Sequence, residues 1–234
     1  MGRFEQRPHY LPDELDAECE QVIQSFLQKR YGHVEFPVST DDLTILIETV
    51  VDDLDMYADL SNEKGDVEGV TDFLKGKRPR VRISRTLSEA DYMQNRLRTT
   101  LTHEFAHVRF HGFMFEIGPS TIPLFPVKAE SHSNRCKKEN IVGAKQTDWM
   151  EWQAGYGCGA LLMPITTLRE TVRKFAKENK LVKTRCAADS AEGKGIIASV
   201  AASFQVSKDA ARVRLLQQKI LAGEGVILGK SLFT

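Results

Sequence analysis

No run of apolar residues in this chain approaches the roughly 20 that a helix needs to cross a bilayer. The opening residues, Met1-Gly2-Arg3-Phe4-Glu5-Gln6-Arg7-Pro8, carry no apolar signal core. Cysteine is sparse. Cys19, Cys136, Cys158 and Cys186 are widely spread and make no Cys-x-x-Cys pair. A membrane span and a disulfide scaffold are thereby excluded, and a reducing cytoplasm is the expected setting. Net charge is missing as well. The 32 acidic residues balance 32 basic ones, so bulk charge names no partner. What remains is a chain of 234 residues, 41% hydrophobic, able to bury a core as one domain or two small ones.

The charge is unevenly placed. From Asp41 to Asp72 the only base among the acids is Lys64. From Thr167 to Arg185 the chain carries Arg169, Arg173, Lys174, Lys177, Lys180, Lys183 and Arg185 against Glu170 and Glu178. Each run reads first as a solvated face. The basic run, residues 167–185, is also a candidate contact for nucleic acid or for an acidic substrate segment.

The chemistry is concentrated in Leu101-Thr102-His103-Glu104-Phe105-Ala106-His107, an H-E-x-x-H motif. Residues 95–112 contain no proline, and Leu97, Leu101, Phe105 and Val108 fall at helical spacing, so the motif lies mid-helix. A helix turns about 100° per residue, which stacks residues four apart on one face. His103 and His107 can then offer two imidazoles to one ion, with Glu104 placed to act as general base. Zinc suits such a set, and a catalytic zinc needs a third protein ligand. His111 lies about 80° round the helix from His103 and about 12 Å along it, too far for one straight helix to bring all three to one ion. It reads instead as a helix C-terminal histidine, or as a residue near the cleft mouth.

A carboxylate from a second helix is the better third ligand. In the stretch from Asp148 to Pro164, Glu151 heads an apolar stripe with Ala154, Cys158, Leu161 and Leu162. A buried carboxylate without a partner is costly, and a metal ion removes that cost. Small residues let this helix approach another closely, and Pro164 ends it. Glu130 and Glu139, in a polar loop, are weaker alternatives.

Together the two segments resemble the ImmA/IrrE metallo-endopeptidases. That family's pattern is H-E-x-x-H-x-x-x-H followed by E-x-x-A-x-x-F-A-A-x-L-L-M-P. The chain has His103-Glu104-x-x-His107-x-x-x-His111, then Glu151-x-x-Ala154 running to Leu161-Leu162-Met163-Pro164. Arg96-Leu97-Arg98 stands where many members carry Arg-x-Arg. The similarity covers residues 40 to 222 or so. The chain departs from the pattern at Gly157, where phenylalanine is usual, at Cys158, where alanine is usual, and in the length of the loop 112–147. The resemblance implies that His103, His107 and Glu151 bind Zn2+ and that Glu104 is the general base. It also implies an intracellular protease that cleaves a helix-turn-helix repressor, switching on a phage, mobile-element, stress or defence operon.

Loop 112–147 is polar and longer than most connections, as lids are. Within it Cys136 is flanked by Arg135 and Lys137, which favour the thiolate. Cys136 is a candidate inhibitory zinc ligand, with His132 a weaker version of the same idea. His111, Tyr156 and Arg98 are candidates for holding the oxyanion or substrate.

The expected fold is α+β. A compact zincin-like metallopeptidase domain, residues 1–186, has a small antiparallel sheet and the H-E-x-x-H helix. A helix-turn-helix-like pair, residues 187–234, is expected to pack on it. Helices are expected over 15–31 and from the Ser39 cap. Short strands are expected over 57–60, 67–74 and 80–84. The last of these, with Val81 and Ile83, reads as a sheet edge that could hold a substrate in extended form. Residues 187–195 read as a linker. A helix over 196–204, a turn at Gln205-Val206-Ser207 and a helix over 208–221 follow. Arg212, Arg214 and Lys219 on the last helix are candidate nucleic-acid contacts. The functional expectation is a zinc metallo-endopeptidase acting as an anti-repressor. The alternative is a DNA-binding transcriptional regulator with a structural zinc.

Overall fold

The structure, a computed structural model, describes residues 6–63, 66–74, 76–116, 132–137, 149–181 and 186–223. It is an α+β arrangement of nine helices and six strands among the described residues. None of the described helices is long and apolar enough to cross a membrane. The chain divides into two compact units, residues 1–18 with 39–158, and residues 19–38 with 159–234.

Helix α1 (Pro12–Tyr31) begins with acidic Asp13 and Glu14 and ends with basic Lys29 and Arg30, matching the helix dipole at both ends. Glu14 also caps the entry, accepting from the Leu11 amide at 2.8 Å. In the first unit, α2 (Thr40–Glu48) starts where its sequence says it should. The Ser39 hydroxyl accepts from the Asp42 amide at 3.0 Å, and Leu43, Leu46 and Ile47 turn inward. Strands β1 (Asp53–Ala58), β2 (Val67–Phe73), β3 (Arg80–Ser84) and β4 (His132–Lys137) form one sheet in the order β1-β3-β2-β4.

Three expectations are corrected here. The sheet is mixed rather than antiparallel, because β1 runs parallel to β3 while β2 pairs antiparallel with both β3 and β4. Strand β3 is not an edge. It is paired on both sides and has no ladder left to offer a substrate. The long loop contributes structure of its own, since Phe113–Glu116 forms helix α5 and His132–Lys137 becomes β4. A polar segment serves as a strand because β2 supplies its backbone partners; alternation of apolar side chains is not required.

Short helix α3 (Arg85–Ser88) and a 3-10 turn (Asp91–Met93) lead into α4 (Gln94–His111), which packs on α2, β2, β3 and β4. Leu97, Leu101, Phe105 and Val108 join Val70, Phe73, Val81 and Ile83 of the sheet in the core. Part of the acidic run is paired with arginines. Asp52 meets Arg80 at 3.2 Å, Asp72 meets Arg82 at 2.8 Å, and Glu68 meets Arg96.

Helix α6 (Trp149–Leu162) stops before Pro164, which caps α7 (Ile165–Glu178). In the second unit, β5 (Cys186–Ala187) pairs parallel with β6 (Leu221–Ala222). Helix α8 (Ala191–Phe204) overturns the linker reading, for it is helical through 191–195. The Ser190 hydroxyl caps it by accepting from the Gly193 amide at 2.9 Å. Gln205 in the left-handed region, φ 49°, ends α8, and Ser207 caps α9 (Lys208–Gln217). The last helix is shorter than expected, because Leu221 and Ala222 belong to β6. Arg214 is not a surface base. It is 1% exposed and donates from Nε to the Met163 carbonyl at 3.2 Å. Residues 182–185 of the basic segment lie outside the described residues.

Candidate metal centre

All but four of the 18 residues of α4 are buried. Among them are His103, Glu104, His107 and His111, each with no exposed surface. A helix buried on every side must satisfy its polar groups internally. Glu151, in the first turn of α6, meets the two histidines there. Its Oε2 lies 3.3 Å from His103 Nε2 and its Oε1 lies 3.2 Å from His107 Nε2. The two Nε2 atoms are 3.1 Å apart. Ligand atoms of His103, His107 and Glu151 all fall within 4.8 Å of one another, and all three residues are buried. This group can hold a metal ion. Two imidazole nitrogens and a carboxylate oxygen are a donor set that divalent metals accept. Burial alone would raise the Glu151 carboxyl. The hydrogen bonds and charge of His103 and His107 outweigh it and hold the group well below the usual carboxylate range. It is thus anionic at neutral pH.

Two helices bring these residues together because small side chains line their contact. A Cβ on Gly157 of α6 would stand 2.9 Å from the Phe110 ring and 3.1 Å from Ala106 Cβ, both on α4. Phe110 occupies the space that a side chain at position 157 would need, so glycine fits there. Cys158 is also accommodated. It accepts from the Thr102 hydroxyl at 3.1 Å and donates to the Thr99 carbonyl at 3.3 Å.

Glu104 is held from the sheet side. The Thr71 hydroxyl on β2 donates to its Oε2 at 2.5 Å. Gly69, two residues earlier on the same face, leaves room for the carboxylate: a Cβ there would lie 2.5 Å from Glu104 Oε1. Thr71 and Gly69 went unnoticed in the sequence. The available signal was a hydroxyl in a strand whose other inward residues, Val67 and Phe73, are apolar.

His111 is the last residue of α4, as its reading as a helix C-terminal histidine expects, and it is fully buried. Its Nδ1 lies 3.1 Å from His107 Nδ1, and its Nε2 lies 3.3 Å from Gln153 Oε1. Burial, reinforced by His107, holds its pKa well below the usual histidine value, so it is neutral at pH 7. Tyr156 is buried with its hydroxyl donating to Asp16 at 2.8 Å. Arg98 is buried and donates to Asn95 Oδ1 at 3.2 Å. It stands five residues before His103, about 140° round the helix. Cys136 sits on β4 in register with Gly69, and His132 in register with Phe73. The side chains of both, and all of Glu130 and Glu139, lie outside the described residues.

No protein-family model matches the chain, and no curated protein matches it.

Proposed function

We propose that the protein is a zinc-dependent endopeptidase whose substrate is a helix-turn-helix repressor, in line with the resemblance to the ImmA/IrrE metallo-endopeptidases. The observation that carries the reading is the convergence of buried His103, His107 and Glu151 within 4.8 Å, with Glu104 in the same helix. Zinc is the metal favoured by two imidazoles and one carboxylate, and three protein ligands are what a catalytic site uses. A bound zinc supplies Lewis-acid polarisation of the scissile carbonyl and acidifies water.

The chain's own residues do the rest. Glu104 accepts a proton from the attacking water and returns it to the leaving amine nitrogen. Thr71 occupies one carboxylate oxygen and fixes the orientation of the base. His103, Glu104 and His107 have no exposed surface, so charge interactions among them are weakly screened by water. A structural zinc in a DNA-binding regulator has no need of a base at position 104. With Arg214 buried, that alternative also loses one of its three candidate phosphate contacts.

The test is incubation of the zinc-loaded protein with a repressor encoded beside it. Cleavage should stop with chelator and return with zinc. Glu104→Gln should keep the zinc and lose cleavage by a factor on the order of 10² to 10⁴. Chelator-resistant cleavage, or an active Glu104→Gln protein, would refute the proposal.

A further inference from the structure

We infer that His111, Gln153 and the Pro8 carbonyl form a one-way hydrogen-bond chain that fixes the tautomer and ring orientation of His107, making the N-terminal segment part of the metal site. The inference rests on the reading of His103, His107 and Glu151 as metal ligands.

Proton counting sets the direction of each hydrogen bond. His107 Nε2 faces Glu151 and His103, so it must keep its lone pair to bind an ion. A neutral imidazole has one N–H, which must then be on Nδ1. His107 Nδ1 faces His111 Nδ1 at 3.1 Å, so the latter must accept. That puts the His111 proton on Nε2, which lies 3.3 Å from the Gln153 side-chain oxygen. The Gln153 amide in turn donates from Nε2 to the Pro8 carbonyl at 3.1 Å. A carbonyl can only accept. It therefore sets the orientation of Gln153, and through it each proton back to His107.

The end of the chain is anchored. The His9 ring meets Trp149 edge-on with centroids 4.7 Å apart, and Trp149 meets His111 at 5.4 Å. Tyr10 is 5% exposed and lies against Phe110 at 5.5 Å. By contrast, His103 Nδ1 is buried with no hydrogen-bond partner among the described residues. His111 and Gln153 are thus positioning residues for His107.

The test uses the full chain and zinc alone. Long-range ¹⁵N NMR of the zinc-loaded wild type should show His111 as the Nε2–H tautomer and His107 protonated on Nδ1. Gln153→Met, which keeps length and packing, should weaken zinc binding about 10- to 100-fold in a chelator competition. It should also alter the visible absorption of the cobalt-substituted protein. His111→Phe should do the same. A His111 protonated on Nδ1, or wild-type zinc affinity and cobalt spectrum in Gln153→Met, overturns the inference. A wild type that binds zinc while Gln153→Met binds it equally removes this inference alone. A wild type that takes up no zinc removes the reading of the site, and the inference with it.

Discussion

Helices α4 and α7 both carry many charged and polar side chains. In α7 only Leu168 and Val172 are buried, while Arg169, Arg173, Lys174 and Lys177 stand in solvent. In α4 the polar residues are inside: Arg98, Thr100, Thr102, His103, Glu104, His107 and His111 are all buried. A charge in water is already solvated, so the basic face of α7 needs no partner to exist. A charge in the core must be matched by a hydrogen bond, a counter-charge or an ion. Much of the buried polar content of α4 is matched in this way, by Glu151 from α6, Thr71 from β2 and Gln153 from α6. Polarity by itself therefore says little about function, and buried polarity with convergent donors says much.

The sharpest way to break the comparison is to remove one buried carboxylate and one exposed base. Glu151→Ala should abolish stoichiometric zinc binding, read by metal analysis after gel filtration. Lys174→Ala should leave zinc content unchanged and shift stability by less than about 0.5 kcal/mol. Equal effects would erase the distinction between the two helices.

A smaller effect is expected at the sheet. Thr71→Val keeps the shape and removes the donor to Glu104, and should cost about 1–3 kcal/mol in urea unfolding. Cleavage should fall as well, with zinc content preserved. Unchanged stability and activity would show that Glu104 does not depend on β2.

The smallest effect is a pH dependence. In the zinc-free protein His111 is kept neutral by burial, so below a pH of about 6.5 the unfolded chain binds a proton that the folded chain does not. That contribution to stability is present above this pH and is lost as the pH falls. Its slope is at most about 1.4 kcal/mol per pH unit. Urea midpoints between pH 7.5 and 5 should drop for the wild type and flatten in His111→Phe. An identical slope in both would place the titration elsewhere.

Some of this was legible in the sequence and some was not, for physical reasons. Helical period and the H-E-x-x-H spacing announce α4, and the lone carboxylate on an apolar stripe announces α6, because both signals are local. The partner of a strand is not local. Nothing in Asp53–Ala58 marks it for parallel pairing with β3, and the polar stretch Ser133-Asn134-Arg135 hides β4. Glycine misled at the start of α8, where Gly193 and Gly195 suggested a linker, although Ser190 ahead of them is a good cap. Helix geometry kept His111 out of the expected ligand set. Its partner Gln153 carries no sequence signal, since an amide two residues after Glu151 acquires meaning only from the carbonyl of Pro8 that it reaches.

The most direct measurement is zinc K-edge absorption spectroscopy on the stoichiometrically loaded protein. The account predicts a nitrogen and oxygen shell at about 2.0–2.2 Å that includes two imidazoles, and the loss of one imidazole in His107→Ala. A protein that retains no zinc, or a metal shell without imidazole, would contradict it.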